Sequence, residues 1–440
     1  MLSKLQRFGR RQLHTIVSRE IIKPSSPTPS HSKTYNLSLF DQISLNSHTP
    51  IVAFYQNIEQ SSHHITLKLK NSLSKTLVQY YPFAGRVKKS SPSFVDCNDE
   101  GVEYIEASND SSLSDFLQQL KHEDLDPLFP NDLIWFHPRI RGDTEGVTCP
   151  LAVQVTRFTC GGVAVASTLF HKVGDARTML NFINHWATVT ARKDVSLINP
   201  EIIHYQNKNI TLPDLLSDRS RVGCVTRSFV FPNKMLNNLK AKVTAMASES
   251  GQPIANPTRV EVVSWLLHTR TMAAHTKNNS GTFTPSGMAF PTDMRGVLVE
   301  KVAGTRVGNL VFSIDVPTRN QSELAPHVSI SEMRKGKAGF RSIRNLETAM
   351  EMVAKMSPEV ALERLKIVDE YYIYSSLCRF PMYDIDFGWG KPVKVSIGGT
   401  IKNTTILMAT PDGYGIEASV CLEKEDMKIL QNDPELQAFC

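Results

Sequence analysis

Val163-Ala164-Val165-Ala166-Ser167-Thr168-Leu169-Phe170-His171-Lys172-Val173-Gly174-Asp175 runs from a strand into the start of a helix. Val163, Val165, Ser167 and Leu169 share one face at the period of two of a β-strand, and His171 continues that parity at its end. Upstream, Leu151, Val153 and Val155 alternate in the same way, and Gly161-Gly162 after Cys160 supplies a tight hairpin turn. Downstream, Leu180, Ile183 and Trp186 stand at helical spacing. A hairpin that feeds a helix implies a mixed α/β fold. A histidine at the strand's end can project beyond the sheet into a cleft.

The size and composition of the chain fit that reading. At 440 residues it exceeds what one core usually supports, so two domains of roughly 200 residues are expected. Apolar residues make up 41% and charged residues 21%, the balance of an ordinary globular protein. The net charge of +6 is concentrated at the start, where Lys4, Arg7, Arg10, Arg11 and Arg19 precede the first acid, Glu20. The body is close to neutral, which argues against a nucleic-acid footprint. Seven cysteines, odd in number and without a C-x-x-C pair, read as reduced thiols with no metal site. No secretory apolar region and no run of eighteen apolar residues occurs, so a cytoplasmic protein off the membrane is expected. Leu2, Leu5, Phe8, Leu13 and Ile16 beside the basic residues leave a second reading, an amphipathic mitochondrial import segment, against that of a loose basic tail.

Lys23-Pro24-Ser25-Ser26-Pro27-Thr28-Pro29 is held extended by its prolines, and the folded body is expected to begin after it. Leu69, Leu73 and Leu77 recur at i+4 and predict an amphipathic helix that stops at Tyr81-Pro82. The polar stretch 191–218 reads as a linker. Beyond it, Thr258 opens a helix carrying Val260, Val263 and Leu267, and strands are expected at 393–397, 405–408 and 416–421. The division that follows is a basic tail at 1–20, a first domain at 21–205, a linker at 206–225 and a second domain at 226–440. There is no G-x-G-x-x-G after a strand and no P-loop, which removes the dinucleotide-binding and nucleoside-triphosphatase readings.

Taken alone, H-x-x-x-D fits a core histidine and an N-cap aspartate as readily as catalysis. The stretch Asp386-Phe387-Gly388-Trp389-Gly390-Lys391-Pro392 is far more particular. H-x-x-x-D followed some two hundred residues later by D-F-G-W-G-K-P resembles the paired signature of the plant BAHD acyltransferases. Leu37-Ser38 with Asp41, Tyr81 to Arg86, Asp96 to Asp99, Gly308-Asn309, and Ser375-Ser376 before Cys378-Arg379 resemble the same family in the same order. The likeness runs from about residue 21 to the end and is strongest to the branch that acetylates alkaloids, with terpenoid acetyltransferases similar.

The resemblance implies two chloramphenicol-acetyltransferase-like domains with mixed sheets and a solvent channel between them. It implies a monomer that transfers an acyl group, as acetyl, from acetyl-coenzyme A to a small-molecule alcohol, with no permanently bound cofactor. His171 is then the general base, since a neutral imidazole of pKa about 6.5 can take the proton of an attacking hydroxyl. Asp175 becomes a positioning residue paired with Arg295 of Asp293-Met294-Arg295, and Asp386 a residue sometimes given a second catalytic part. Gly388, Trp389 and Gly390 read as structural support. Thr258, Ser375 and Ser376 would hold coenzyme A, although Thr258 also suits a plain N-cap and the serines a turn.

Three positions depart from the family pattern: Ala176 where glycine follows the acid, Asp293 where asparagine is usual, and Leu377 where tryptophan is common. They motivate an alternative function, a catalytically silent relative that binds a metabolite or a protein.

Overall fold

The computed structural model describes residues 14–56, 58, 62–88, 93–130, 146–192, 199–205, 223–355, 370–399 and 401–440. The strands of its two large sheets, numbered along the chain, are β1 (His14–Ile22), β2 (His48–Tyr55), β3 (Val102–Asn109), β4 (Leu151–Phe158), β5 (Val163–Phe170), β6 (Cys224–Phe231), β7 (Ser286–Asp293), β8 (Val311–Thr318), β9 (Glu370–Ser376), β10 (Lys394–Ile397), β11 (Thr404–Ala409) and β12 (Ile416–Glu423). The first six-stranded sheet has the order β1-β3-β4-β5-β2-β10 and the second β6-β12-β11-β9-β7-β8. The helices that matter below are α1 (Leu39–Ile43), α2 (Ser62–Gln79), α3 (Ala176–Thr190) and α4 (Arg259–Asn278). Two sheet-rich domains result, each with its own core, as expected of the α/β class.

The predicted hairpin is present: β4 and β5 pair antiparallel, and Gly161 takes a φ of 83° in the turn between them. Every residue of β5 is buried, so both faces of the strand are covered. The reason is a layer on each side. Leu69, Leu73 and Leu77 of α2 join Leu180, Ile183 and Trp186 of α3 in one core, while Phe54, Phe116, Leu125, Phe129 and Phe158 fill the other face. Trp186 anchors the two helices by donating its indole N–H to the carbonyl of Leu69 and the hydroxyl of Ser72.

Two expectations about domain limits are corrected. Residues 14–20 are not part of a tail but, together with Ile21 and Ile22, form β1, paired antiparallel with β3 from His14–Asn109 to Ile22–Val102. Thr15, Ile16, Val17, Ile21 and Ile22 are β-branched, and that preference for a pleated surface prevails over the amphipathic-helix reading. Arg19 to Glu103 at 2.7 Å and Lys70 to Glu20 at 2.7 Å tie the strand down. Residues 1–13 lie outside the described residues, as does most of the expected linker, 206–222; its last two positions already belong to β6.

The second correction concerns D-F-G-W-G. It was assigned to the second domain, yet it packs into the first core. The Phe387 ring stands edge-on to Trp186 at 4.9 Å, and Trp389 edge-on to Tyr55 at 5.5 Å. The next residues form β10, which pairs with β2 from Lys394–Phe54 to Ile397–Ile51. An open edge on β2 would leave its N–H and C=O groups unpaired, and a strand sent across from the C-terminal half covers it.

A chain lacking residues 2–22 loses β1 and uncovers β3, whose Val102, Tyr104 and Ile105 are fully buried. It should melt several degrees below the full chain and precipitate more readily in a scanning-fluorimetry series. An unchanged midpoint would show that β1 contributes nothing.

Candidate active site

His171 follows the last residue of β5 and is fixed by its backbone before its side chain is considered. Its N–H donates to the carbonyl of Ser47 at 2.8 Å, and Val173 N–H closes a turn on the carbonyl of Phe170 at 2.8 Å. Gly174 is required inside that turn, because a Cβ there would meet Thr178 Cγ2 at 2.5 Å. Asp175 then caps α3 by accepting the Thr178 N–H at 3.0 Å. The spacing of H-x-x-x-D is therefore the length of one turn between a strand and a helix.

The imidazole has a partner that the sequence did not assign. Nδ1 lies 3.1 Å from Oδ1 of Asn309, across from the second domain. The amide nitrogen of Asn309 donates to Asp41 Oδ1 at 2.8 Å and to the His171 carbonyl at 2.6 Å, both pure acceptors. That fixes the amide's orientation, so its oxygen faces Nδ1, and Nδ1 must carry the proton. The lone pair of the neutral ring then sits on Nε2.

Asp41 is fully buried and held in turn by the Ser38 N–H and hydroxyl, at 2.8 and 2.7 Å, and by the Asn309 N–H at 2.6 Å. Burial raises its pKa, and these hydrogen bonds oppose the rise. Gly308 has a φ of 109°, and a Cβ there would press to 3.2 Å from the Tyr35 hydroxyl and 3.4 Å from the Asp41 carboxylate. Lys172 closes the far side by donating to the carbonyls of Gln42 and Ser44 at the end of α1, at 2.7 and 2.8 Å. Residues 37–44, 171–175 and 308–310 thus interlock.

The pair that the resemblance implied is present. Arg295 reaches Asp175 at 2.7 and 3.3 Å with both groups almost wholly buried, and also donates to the carbonyls of Gly308 and Arg306 at 2.8 and 3.2 Å. Burial alone would raise the Asp175 carboxyl, but the adjoining guanidinium and the N–H groups of Thr178 and Leu310 hold it below the ordinary carboxylate range. Arg295 is raised despite burial, through Asp175 and Asp293. For His171, burial lowers the pKa and Lys172 adds to that, while its own carbonyl, Asp175 and Asn309 pull it back up. The net direction is downward, so the ring is neutral at neutral pH.

The other predicted residues fall elsewhere. Asp386 uses Oδ1 to accept the N–H groups of Gly388, Trp389 and Gly390 at 2.8, 3.1 and 2.9 Å, and both glycines adopt a φ of 92°. That is the work of a turn organiser. Thr258 caps α4 in a reciprocal box with Glu261 and lines a depression of about 510 Å³ with Lys240, Thr244 and Arg259. Ser375 and Ser376 end β9 opposite Ile406 and Leu407. Sequence reasoning missed Asn309, Asp41 and Lys172 as site residues. The signal was present as Gly308-Asn309 and Leu37-Ser38 with Asp41, family-like stretches that had no assigned contact.

Residues 14–437 match the model of the Transferase family. The chain is 35% identical over 450 residues to deacetylvindoline O-acetyltransferase of Catharanthus roseus, covering 96% of this chain and 97% of that one. The crystal structure of vinorine synthase is similar at a TM-score of 0.77 and 25% identity, over 97% of this chain and 98% of that one. F. sporotrichioides TRI101, crystallised with coenzyme A and T-2, shares the fold at a TM-score of 0.70 and 17% identity over 93% and 99% of the two chains. A likeness that runs through both domains at more than a third identity makes this chain an enzyme of the Transferase family, a BAHD acyltransferase that uses acyl-coenzyme A.

Proposed function

We propose that this enzyme transfers an acetyl group from acetyl-coenzyme A to a hydroxyl of an alkaloid or terpenoid alcohol through a ternary complex, with His171 as general base. The observation that carries the reading is the Asn309 amide, whose oxygen obliges Nδ1 to hold the proton and leaves Nε2 as the basic atom. Nε2 takes the acceptor's hydroxyl proton while the oxygen attacks the thioester carbonyl. The tetrahedral oxyanion collapses, the C–S bond breaks, and the imidazolium returns the proton to the coenzyme A thiolate. No enzyme nucleophile is needed, because the thioester is already activated. The cysteines are not joined in disulfides, which suits bystanders in a reducing cytoplasm.

Asp175, through Arg295, is the positioning residue, and Asp386 acts by shaping its turn. Thr258, Ser375 and Ser376 are assigned to the coenzyme, which would lie along the second domain and meet the acceptor at His171 in a channel between the domains. The Catharanthus relative, by its name an O-acetyltransferase acting on deacetylvindoline, supports both that acceptor class and the acetyl donor.

Purified enzyme with acetyl-coenzyme A and a panel of alkaloid and terpenoid alcohols, read by mass spectrometry, should yield an O-acetylated product. His171→Ala should stay folded by circular dichroism, bind coenzyme A with little change, and lose roughly 10²–10⁴-fold in turnover. Wild-type turnover in that variant would remove the mechanism, and absence of product from the wild-type enzyme across the panel would favour the silent relative.

The pH profile carries a sign. The base works deprotonated and its pKa is lowered, so the acid limb of kcat/KM should lie below the usual histidine value of about 6.5. A limb above that value would contradict a buried, Lys172-flanked imidazole.

Asp175→Asn removes a carboxylate whose folded pKa is depressed. That stability is present above the unfolded pKa of about 3.9 and is lost as pH falls through the lower folded value. Wild type should therefore show an acid slope of melting temperature that Asp175→Asn lacks, together with a lower midpoint at pH 7. Coincident curves would mean that the pair with Arg295 contributes no stability.

A further inference from the structure

Asp293 is one of the three departures from the family pattern, and its surroundings explain it. Oδ1 accepts from the Arg295 backbone N–H at 3.1 Å and from Arg295 Nη1 at 3.0 Å. Oδ2 accepts from Arg177 Nε at 3.0 Å. Arg177 stands in the first turn of α3, two residues after Asp175, with its guanidinium 4.5 Å above the Phe380 ring. Four charges therefore alternate in a row: Asp175, Arg295, Asp293, Arg177.

An asparagine at 293 can serve only one side of this row. With its amide oxygen turned to Arg295, its NH₂ group faces the Arg177 N–H, donor against donor. A carboxylate satisfies both sides, so Arg177 requires an acid at 293. The effect reaches the reacting centre by contacts already described. Arg295 Nη2 grips the Gly308 carbonyl at 2.8 Å, and the next residue is Asn309, which holds the Nδ1 proton of His171.

We propose that Arg177 and Asp293 form one positioning unit for His171, with Arg177 as the residue that makes the acid at 293 necessary. This rests on the assignment of His171 as general base. Neither residue touches a reacting atom; both act through Arg295 and Asn309. The second contact of Arg177, on Phe380, couples the start of α3 to the turn that follows Ser375 and Ser376, so the unit also links the base to the strand end assigned to the coenzyme.

The test is a double-mutant cycle of Asp293→Asn, Arg177→Leu and the two together, in the full chain. The readouts are turnover with acetyl-coenzyme A, melting temperature, and the imidazole ¹⁵N signals of His171, identified by their loss in His171→Gln. Asp293→Asn alone should cut turnover roughly tenfold and move His171 away from a pure Nδ1–H tautomer. The double variant, neutral again and carrying the family's usual asparagine, should regain most of the rate and the wild-type signals. Unaltered turnover and tautomer in Asp293→Asn would overturn the proposal, as would a double variant at least as impaired as the two singles combined. Should Asp293→Asn fail to fold, a folded double variant still supports the unit and an unfolded one overturns it. If wild type turns over no acyl-coenzyme A, the functional assignment fails, while the tautomer and melting cycle still decides whether the two residues act as a pair.

Discussion

Much of the site hangs from the guanidinium of Arg295. It is almost fully buried, and its donors reach the Asp175 carboxylate, the Asp293 carboxylate and two carbonyls ahead of Asn309. Asp175 belongs to the first domain and Arg295 to the second, so this ion pair is also where the two cores are pinned to each other. A buried pair of this kind is a poor source of net stability, since desolvation offsets most of the attraction, but breaking it strands a charge at a cost of roughly 3–5 kcal/mol. The pair's value lies in specificity. The docking that joins Asp175 to Arg295 is also the one that brings Asn309 to His171.

Around that pin, backbone carbonyls do most of the remaining positioning. Lys172 is held by two of them at the end of α1, Arg295 by two before Asn309, and Asn309 by that of His171 itself. Carbonyls follow the main chain and change little with side-chain identity. A centre built this way keeps the His171 ring in register whatever side chains surround it.

The sequence made the hairpin, the α2 and α3 stripes and the strand-end histidine legible, because each is a local pattern of period two or 3.6. The Arg295 pairing was reachable only through family likeness, since nothing within residues 293–295 points 120 positions back to Asp175. Asn309 and Asp41 were in view as likenesses without a role, because their meaning lies in a hydrogen-bonding chain across three separate segments. The limits of the first domain misled for a physical reason. A β-branched run such as His14–Ile22 is a strand only when β3 offers an edge, and Phe387 and Trp389 are core residues only because Tyr55 and Trp186 are there to receive them. Edges and receiving surfaces are properties of the folded partner.

The placement of β10 also governs the order of events at the ribosome. The Tyr55 hydroxyl donates to the carbonyl of Ile385, 330 residues later, and the sheet begun by β1 gains its last strand only when residues 394–397 emerge. The first domain therefore cannot finish its sheet while it is being made; β2 waits with an open edge through translation of nearly the whole second domain. Contacts of such long sequence separation slow folding and prolong the exposure of sticky edges. The nascent chain passes that interval with the β2 edge uncovered, and a first domain made without residues 394–397 lacks the last strand of its sheet.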